Sequence, residues 1–222
     1  MLHQLASLAR VGVRDVVIVV GYEQQQVRDV VGRGARYVVN DRFVQTNSMY
    51  SFLLAHRAVD QDVIVMNSDL FFHPDLPARL CERQGNALLY DSRSGEDPEH
   101  MKVRVADGHL VEMSKVMPRA RVSGENVGML RLTAKTVARM AGAARAVMAV
   151  GGDRAWLASA VNRVAAAERI QCVDVAGSPW VEIDFPHDLD RARTEVLPAV
   201  AEAIGLEETV RQGVPSLSGA RR

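Results

Sequence analysis

The chain predicts an α/β fold, with a doubly wound, mostly parallel sheet flanked by helices. Three observations lead there. Short apolar runs such as Val16-Val17-Ile18-Val19-Val20 alternate with segments of helical period, the signature of strands joined by crossover helices. Two such runs end in an acid, Val63-Ile64-Val65-Met66 shortly before Asp69 and Trp180-Val181-Glu182-Ile183 at Asp184. Open α/β sheets place ligand-binding groups at the carboxyl ends of their strands in this way. At 222 residues, the chain fits one domain with a full core, taken here as residues 1–205 with a partly disordered polar tail over 206–222.

Leu2, Leu5, Ala6 and Ala9 recur at helical spacing until Gly12 stops the helix before the first buried strand. Gly21-Tyr22 turns into a polar helix through Val27, Val30 and Val31, and Arg36 to Asn40 reads as the next strand. Thr46-Asn47-Ser48 caps a helix carrying Tyr50, Leu53, Leu54 and Ala58. The strand leading to Asp69 follows, then a helix from Asp75 to Glu82 and a strand from Ala87 to Tyr90. Val103-Arg104-Val105 and Leu110 to Met113 flank Ala106-Asp107-Gly108-His109, so an antiparallel hairpin is expected, Asp-Gly supplying the turn. Met129 to Leu132 is strand-like, and helices follow over Ala134 to Val150 and Arg154 to Glu168. A strand from Ile170 to Val175 precedes the Trp180 strand, and the last helix starts at His187 and carries Leu189, Ala192, Val196 and Val200.

Lys+Arg and Asp+Glu balance at 27 each, which removes the global basic field that draws nucleic acid or anionic membranes. Neither partner is expected, and any anion binding is local. Two cysteines, Cys81 and Cys172, are too few for a disulfide framework and point to a reducing compartment. With no run of transmembrane length and no signal-peptide core, a cytoplasmic location is expected.

A carboxylate beside apolar residues is costly to desolvate unless a cation meets it. Two of them at separate strand ends can share a divalent ion, and Mg²⁺ takes only one or two protein carboxylates together with substrate phosphates. Asp69 and Asp184 are therefore candidate Mg²⁺ ligands. The alternatives stay open: Asp69 can open a turn before His73-Pro74, and Asp184 can cap the helix that begins near Pro186.

Taken in order, Gly12 to Tyr22, Asn40 with Thr46 to Ser51, Asn67-Ser68-Asp69, Met101-Lys102-Val103, Ser114-Lys115, Ser123 to Gly128 and Trp180 to Asp184 resemble the nucleotidyltransferase superfamily. Within it they are similar to bacterial cytidylyltransferases that act on phosphocholine, phosphonates or inositol phosphate. The resemblance implies a GT-A-like, Rossmann-like domain. It also implies in-line attack of a phosphate or phosphonate oxygen on the α-phosphate of a nucleoside triphosphate, CTP being favoured, with release of pyrophosphate. Such chemistry is positioning plus charge neutralisation. Asp69 and Asp184 match the Mg²⁺ positions, and Lys102 is assigned a catalytic role next to the acceptor. Lys115 and Glu125 are placed on the acceptor, Asn47 and Ser51 on the nucleotide side, and Tyr22 and Trp180 beside the pocket. Each also has a plain structural role open to it: surface charge for the lysines, a turn for Glu125, helix capping and early-helix packing for Asn47 and Ser51, core packing for the aromatics.

The chain departs from that family at its front. Members begin with a strand and a Gly-rich loop bearing Arg and then Lys, which grip the triphosphate; here the first strand of the sheet and that loop are absent, and activity of the chain by itself is in question. Gly32-Arg33-Gly34 and Gly151-Gly152 do not lie between an apolar strand and a helix as a phosphate loop requires. Aromatic residues make up only 5% of the chain, which disfavours the cage a quaternary ammonium needs. A phosphonate or polyol phosphate is expected before phosphocholine. A GT-A glycosyltransferase, which usually presents Asp-x-Asp where Asn67-Ser68-Asp69 stands here, and a non-catalytic ligand-binding remnant are the competing readings.

Overall fold

The computed structural model describes residues 1–94 and 97–205; the expected tail over 206–222 lies outside them. In chain order the elements are α1 (Leu2–Arg10), β1 (Val17–Val20), α2 (Gln24–Val31), β2 (Arg36–Val39), α3 (Ser48–Ala55), β3 (Val63–Met66), β4 (Leu70–Phe72), α4 (Leu76–Cys81), β5 (Ala87–Asp91), β6 (Lys102–Ala106), β7 (His109–Ser114), β8 (Gly124–Leu132), α5 (Ala134–Met148), α6 (Ala158–Glu168), β9 (Gln171–Asp174), β10 (Trp180–Glu182), α7 (Pro186–Arg191) and α8 (Leu197–Ala203). A π-helical turn over Ala192–Val196 links the last two.

The α/β class holds, but the sheet is mixed rather than mostly parallel. Its strands run in the order β3-β8-β5-β9-β7-β6. The pairs β1–β2 and β5–β9 are parallel, whereas β8 runs antiparallel to β3, β5 and β6. The β6–β7 hairpin forms as expected, with Asp107 and Gly108 both at positive φ in its turn.

Alternation along β5 shows how the layers are built. Leu88 faces a core shared with Met49 and Phe52 of α3, Met140 of α5 and Val161 of α6. Its neighbours Ala87 and Leu89 face the other side, with Leu76 and Leu80 of α4, Phe72 and Trp180. A strand with both faces covered reads as a continuous apolar run, and each fully buried leucine contributes about 1.5–3 kcal/mol. A third cluster packs Val196 and Val200 against Val181, tying the C-terminal helices to β10.

Two sequence expectations change here. The strands β1 and β3 were expected to be buried, yet of the two only Val20 is. Among the described residues, β1 pairs with β2 alone and β3 with β8 alone, so each keeps one edge without a strand partner. Helix α1 buries Gln4, Ser7 and Leu8, while Leu2 is exposed, so its inner face is not the apolar stripe predicted. No described helix is long and apolar enough to cross a membrane. Both cysteines are free thiols, and burial pushes that of Cys172 up to about 12, which keeps it protonated and unreactive at neutral pH.

Candidate active site

The segment Asn67-Ser68-Asp69 follows β3 and turns at once into β4, whose antiparallel partner β10 pairs Glu182 with Leu70. That pairing is extended by a bond from Ile183 N to Asp69 O at 3.1 Å. The chain stretches holding Asp69 and Asp184 therefore run side by side, and their carboxylates interact. The Asp69 carboxyl is held above its usual range, first by desolvation and then by the charge of Asp184. The residue is nonetheless exposed, so solvent screens part of this effect. Glu182 is also raised, chiefly by burial, with Asp69 and Asp184 adding to it against an opposing bond from Asn67. The charge of Asp184 thus raises both Asp69 and Glu182, and Asp69 raises Glu182; acids gathered in this way form a site of negative potential suited to a cation.

Asp184 is not the helix cap. Phe185 occupies the N-cap position of α7, and the Asp188 carboxylate accepts from the backbone N–H of Phe185 at 2.8 Å and of Asp184 at 3.1 Å. The buried Asp188 takes the capping role and leaves the Asp184 side chain free of it.

Sequence reasoning passed over Glu182 and Asn67. Asn67 Nδ2 donates to Glu182 Oε1 at 2.5 Å, and its backbone N–H donates to Gly128 O at 3.0 Å. Gly128 makes this approach possible. It sits at φ +81°, and a Cβ there would lie 2.9 Å from Asn67 Nδ2 and 3.1 Å from Glu182 Oε1, inside normal contact on both sides. A glycine directly ahead of the strand-like run Met129 to Leu132 was the available signal.

A second polar cluster lies where β6 meets β8, at the pairing of Lys102 with Glu125. Glu125 is 2% exposed. It accepts from His100 Nδ1 at 3.0 Å and from the Asp97 backbone N–H at 3.0 Å. Lys102 is turned inward as well: its ammonium donates to His100 O at 2.8 Å and to Asp97 O, and stands 3.9 Å from Glu125. Both residues thus fasten the segment 97–100. The structure groups Lys102 with Glu125, not with Asp69, and commits its donors to carbonyls.

The remaining candidates fall mostly into structural roles. Asn47 is the N-cap of α3, its side chain accepting from Ser48 N at 2.7 Å, and Ser51 accepts from Asn40 Nδ2 at 3.4 Å. Trp180 is buried, with its indole N–H on Asp91 Oδ2 at 2.9 Å. Tyr22 is 74% exposed beside Phe43. Lys115 stays near the surface, paired with Glu99 at 3.0 Å and set 4.6 Å over the Trp156 ring.

His100 gives this region a pH dependence. Burial alone would lower its pKa, but the hydrogen bond to Glu125 and the charges of Glu125, Asp97 and Glu182 outweigh that and raise it. A histidine raised in the folded state adds stability fully present below the unfolded value of about 6.5 and lost as pH climbs through the folded one. Stability measured by urea unfolding should therefore fall from pH 6 towards alkaline pH, and His100→Gln should flatten that decline. An unchanged slope in the variant would remove His100 as the cause.

No family model matches the chain. Among curated proteins, it is 39% identical over 116 residues to the CMP-5'-(3-aminopropyl)phosphonate synthase of Streptomyces rubellomurinus, covering 50% of this chain and 18% of that one. It is 29% identical over 191 residues to the bifunctional IPC transferase and DIPP synthase of Rubrobacter xylanophilus, covering 82% of this chain and 42% of that one. The chain thus spans less than half the length of these curated relatives. Among solved structures, the inositol-1-phosphate CTP transferase from T. maritima superposes with a TM-score of 0.71 at 22% identity, over 90% of this chain and 83% of the other. The CTP:phosphocholine cytidylyltransferase from Streptococcus pneumoniae gives 0.65 at 17% identity, over 85% and 81%. These likenesses establish the fold, and together with the sequence matches they place the chain in the nucleotidyltransferase superfamily, with cytidylyltransferases among its relatives.

Proposed function

We propose that this chain carries the catalytic domain, residues 1–205, of a Mg²⁺-dependent cytidylyltransferase that joins CTP to a small phosphonate or polyol phosphate and releases pyrophosphate. The observation that carries this reading is the acid cluster of Asp69, Glu182 and Asp184, formed where β10 runs beside the β3–β4 turn, on a fold shared with CTP transferases. Asp69 and Asp184 would hold the ion. Among the described residues no three His, Cys, Asp or Glu side chains are placed to hold a metal unaided. That is compatible with Mg²⁺, which completes its shell with water and substrate oxygens. When bound, the ion supplies positive charge that offsets the negative charge of the triphosphate.

The chain's own residues supply position. Asn67 holds Glu182 against the turn bearing Asp69, fixing the acids before substrate arrives, which is where preorganised sites gain their advantage. With Lys102 committed to carbonyls, Lys115, paired with Glu99 near the surface, is the lysine that would approach an acceptor phosphate as a point charge. The Trp156 face is already covered by the Lys115 ammonium, which leaves it no role in a cage for quaternary ammonium. Sequence identity to a phosphonate-handling relative supports the same choice of acceptor.

Pyrophosphate release measured for each nucleoside triphosphate against 3-aminopropylphosphonate, inositol 1-phosphate and phosphocholine tests this directly. CTP with one of the first two acceptors should give the highest rate, dependent on Mg²⁺. Robust turnover with phosphocholine, or a preference for UTP with a sugar 1-phosphate, would overturn the assignment.

A further inference from the structure

Helix α1 buries a glutamine and exposes a leucine, and the reason lies across from it. Gln4 Nε2 stands 3.0 Å from Asn67 O, 3.3 Å from Ser68 O and 2.8 Å from Leu70 O, so one buried amide, with one of its two N–H groups shared, serves three carbonyls that flank Asp69. The Asp69 carbonyl is taken by Ile183 N. Every carbonyl from residue 67 to 70 is thus tied down, three of them by a single side chain. The neighbouring His3 continues the contact, its Nε2 donating to Phe72 O at 2.7 Å and its ring set edge-on to Phe71 and Phe72.

This hold has a load to resist. Asp69 lies among acids that repel it, and a short turn carrying such a charge will swing outward unless its backbone is restrained. A donor-only contact from a neutral amide restrains the carbonyls without adding a charge that would compete for the carboxylate. A leucine or methionine would fit the burial but leave the carbonyls without donors, at a desolvation cost.

We propose that Gln4 is a positioning residue for Asp69, acting through the backbone of the turn and touching no substrate. The proposal rests on the reading of Asp69 as a metal ligand. Groups that orient a metal ligand typically change metal affinity or activity by roughly 10- to 100-fold when removed.

The test uses the full chain with Gln4→Met, with Gln4→Asn as a second variant that keeps the amide but is one methylene too short to reach, and with Leu8→Ala as a control on the same buried helix face. Deuterium uptake over residues 66–72, Mn²⁺ affinity by electron paramagnetic resonance, and steady-state kinetics are read in parallel. Both Gln4 variants should raise exchange in that segment and weaken Mn²⁺ binding, each by about tenfold or more, and lower kcat with little change in the KM for CTP. Leu8→Ala should do neither. Mn²⁺ affinity and local exchange within about twofold of wild type in the Gln4 variants, or an equal effect from Leu8→Ala, would overturn the proposal. Asp69→Asn separates the two layers. If it binds Mn²⁺ as tightly as wild type, the metal-site reading falls and the proposal with it. If it loses Mn²⁺ while Gln4→Met does not, the proposal alone is overturned.

Discussion

Replacing Asp69 by Asn should abolish turnover while leaving the fold as stable as before, or slightly more so. The two halves of this expectation have one cause. The Asp69 carboxyl is raised by desolvation and by Asp184, so at neutral pH its ionised form is held in the folded state against the electrostatic gradient. For a carboxylate raised in this way, the favourable contribution is fully present below the unfolded value of about 3.9 and lost as pH rises through the folded one. At pH 7 the charge is therefore a cost, retained for what it binds, and the isosteric amide removes it. Removing a group that fixes charge at a phosphoryl-transfer centre lowers kcat by about a hundred- to a thousandfold. Thermal unfolding and pyrophosphate release measured on the same preparation check both halves. A marked loss of stability would show that Asp69 is a turn-former, and retained activity would remove it from the metal site.

Lys102→Met should destabilise the protein by about 3 kcal/mol, the lower end of what removing one member of a buried charged cluster costs. Methionine keeps most of the side-chain volume, so the loss isolates the ammonium. Without it, the carbonyls of Asp97 and His100 lose their donor, and Glu125 keeps only His100 Nδ1 and the Asp97 N–H. Urea unfolding gives the stability, and proteolysis near residue 97 reports loosening of that segment. Unchanged stability with a raised KM for the acceptor would instead return Lys102 to the acceptor phosphate, the role its position in the sequence suggested.

What was legible in the sequence was what depends on local pattern. The run Ala87 to Tyr90 is a strand with apolar residues on two covered faces, Val63 to Met66 is a strand of β-branched and large apolar residues that stay only partly buried, and the Asp107-Gly108 turn follows from backbone sterics. Strand direction was not legible, since it depends on which element arrives beside which. Two stretches were missed: β4, Leu70–Phe72, and the front of β8, where Gly124, Glu125, Asn126 and Gly128 look like a loop, yet all are buried in a nine-residue strand. Polar residues can occupy a central strand when partners such as His100 and Asn67 meet them from elsewhere in the chain. The same applies to Gln4, whose burial makes sense only with the carbonyls of residues 67 to 70 in view. Asp69 and Asp184 stood out because each ends an apolar run, whereas Glu182 lies within one and reads as strand.

Strand β8 has a consequence beyond packing. It carries Glu125, the anchor of the segment 97–100, and three residues later Gly128, the seat of the Asn67–Glu182 contact, a backbone separation of at most about 11 Å. Ladder bonds fix one mark, Glu125 and Asn126 opposite Asp91 and Tyr90, and beyond the irregular stretch that follows, the Asn67 N–H on Gly128 O holds the other. Gly128 itself admits no side chain, so variation is confined to the residues around the two marks and leaves the distance between them as it is. A lineage carrying this scaffold could therefore trade one small acceptor for another by altering the surface around Lys115, while the spacing from acceptor to acid cluster passed on unaltered.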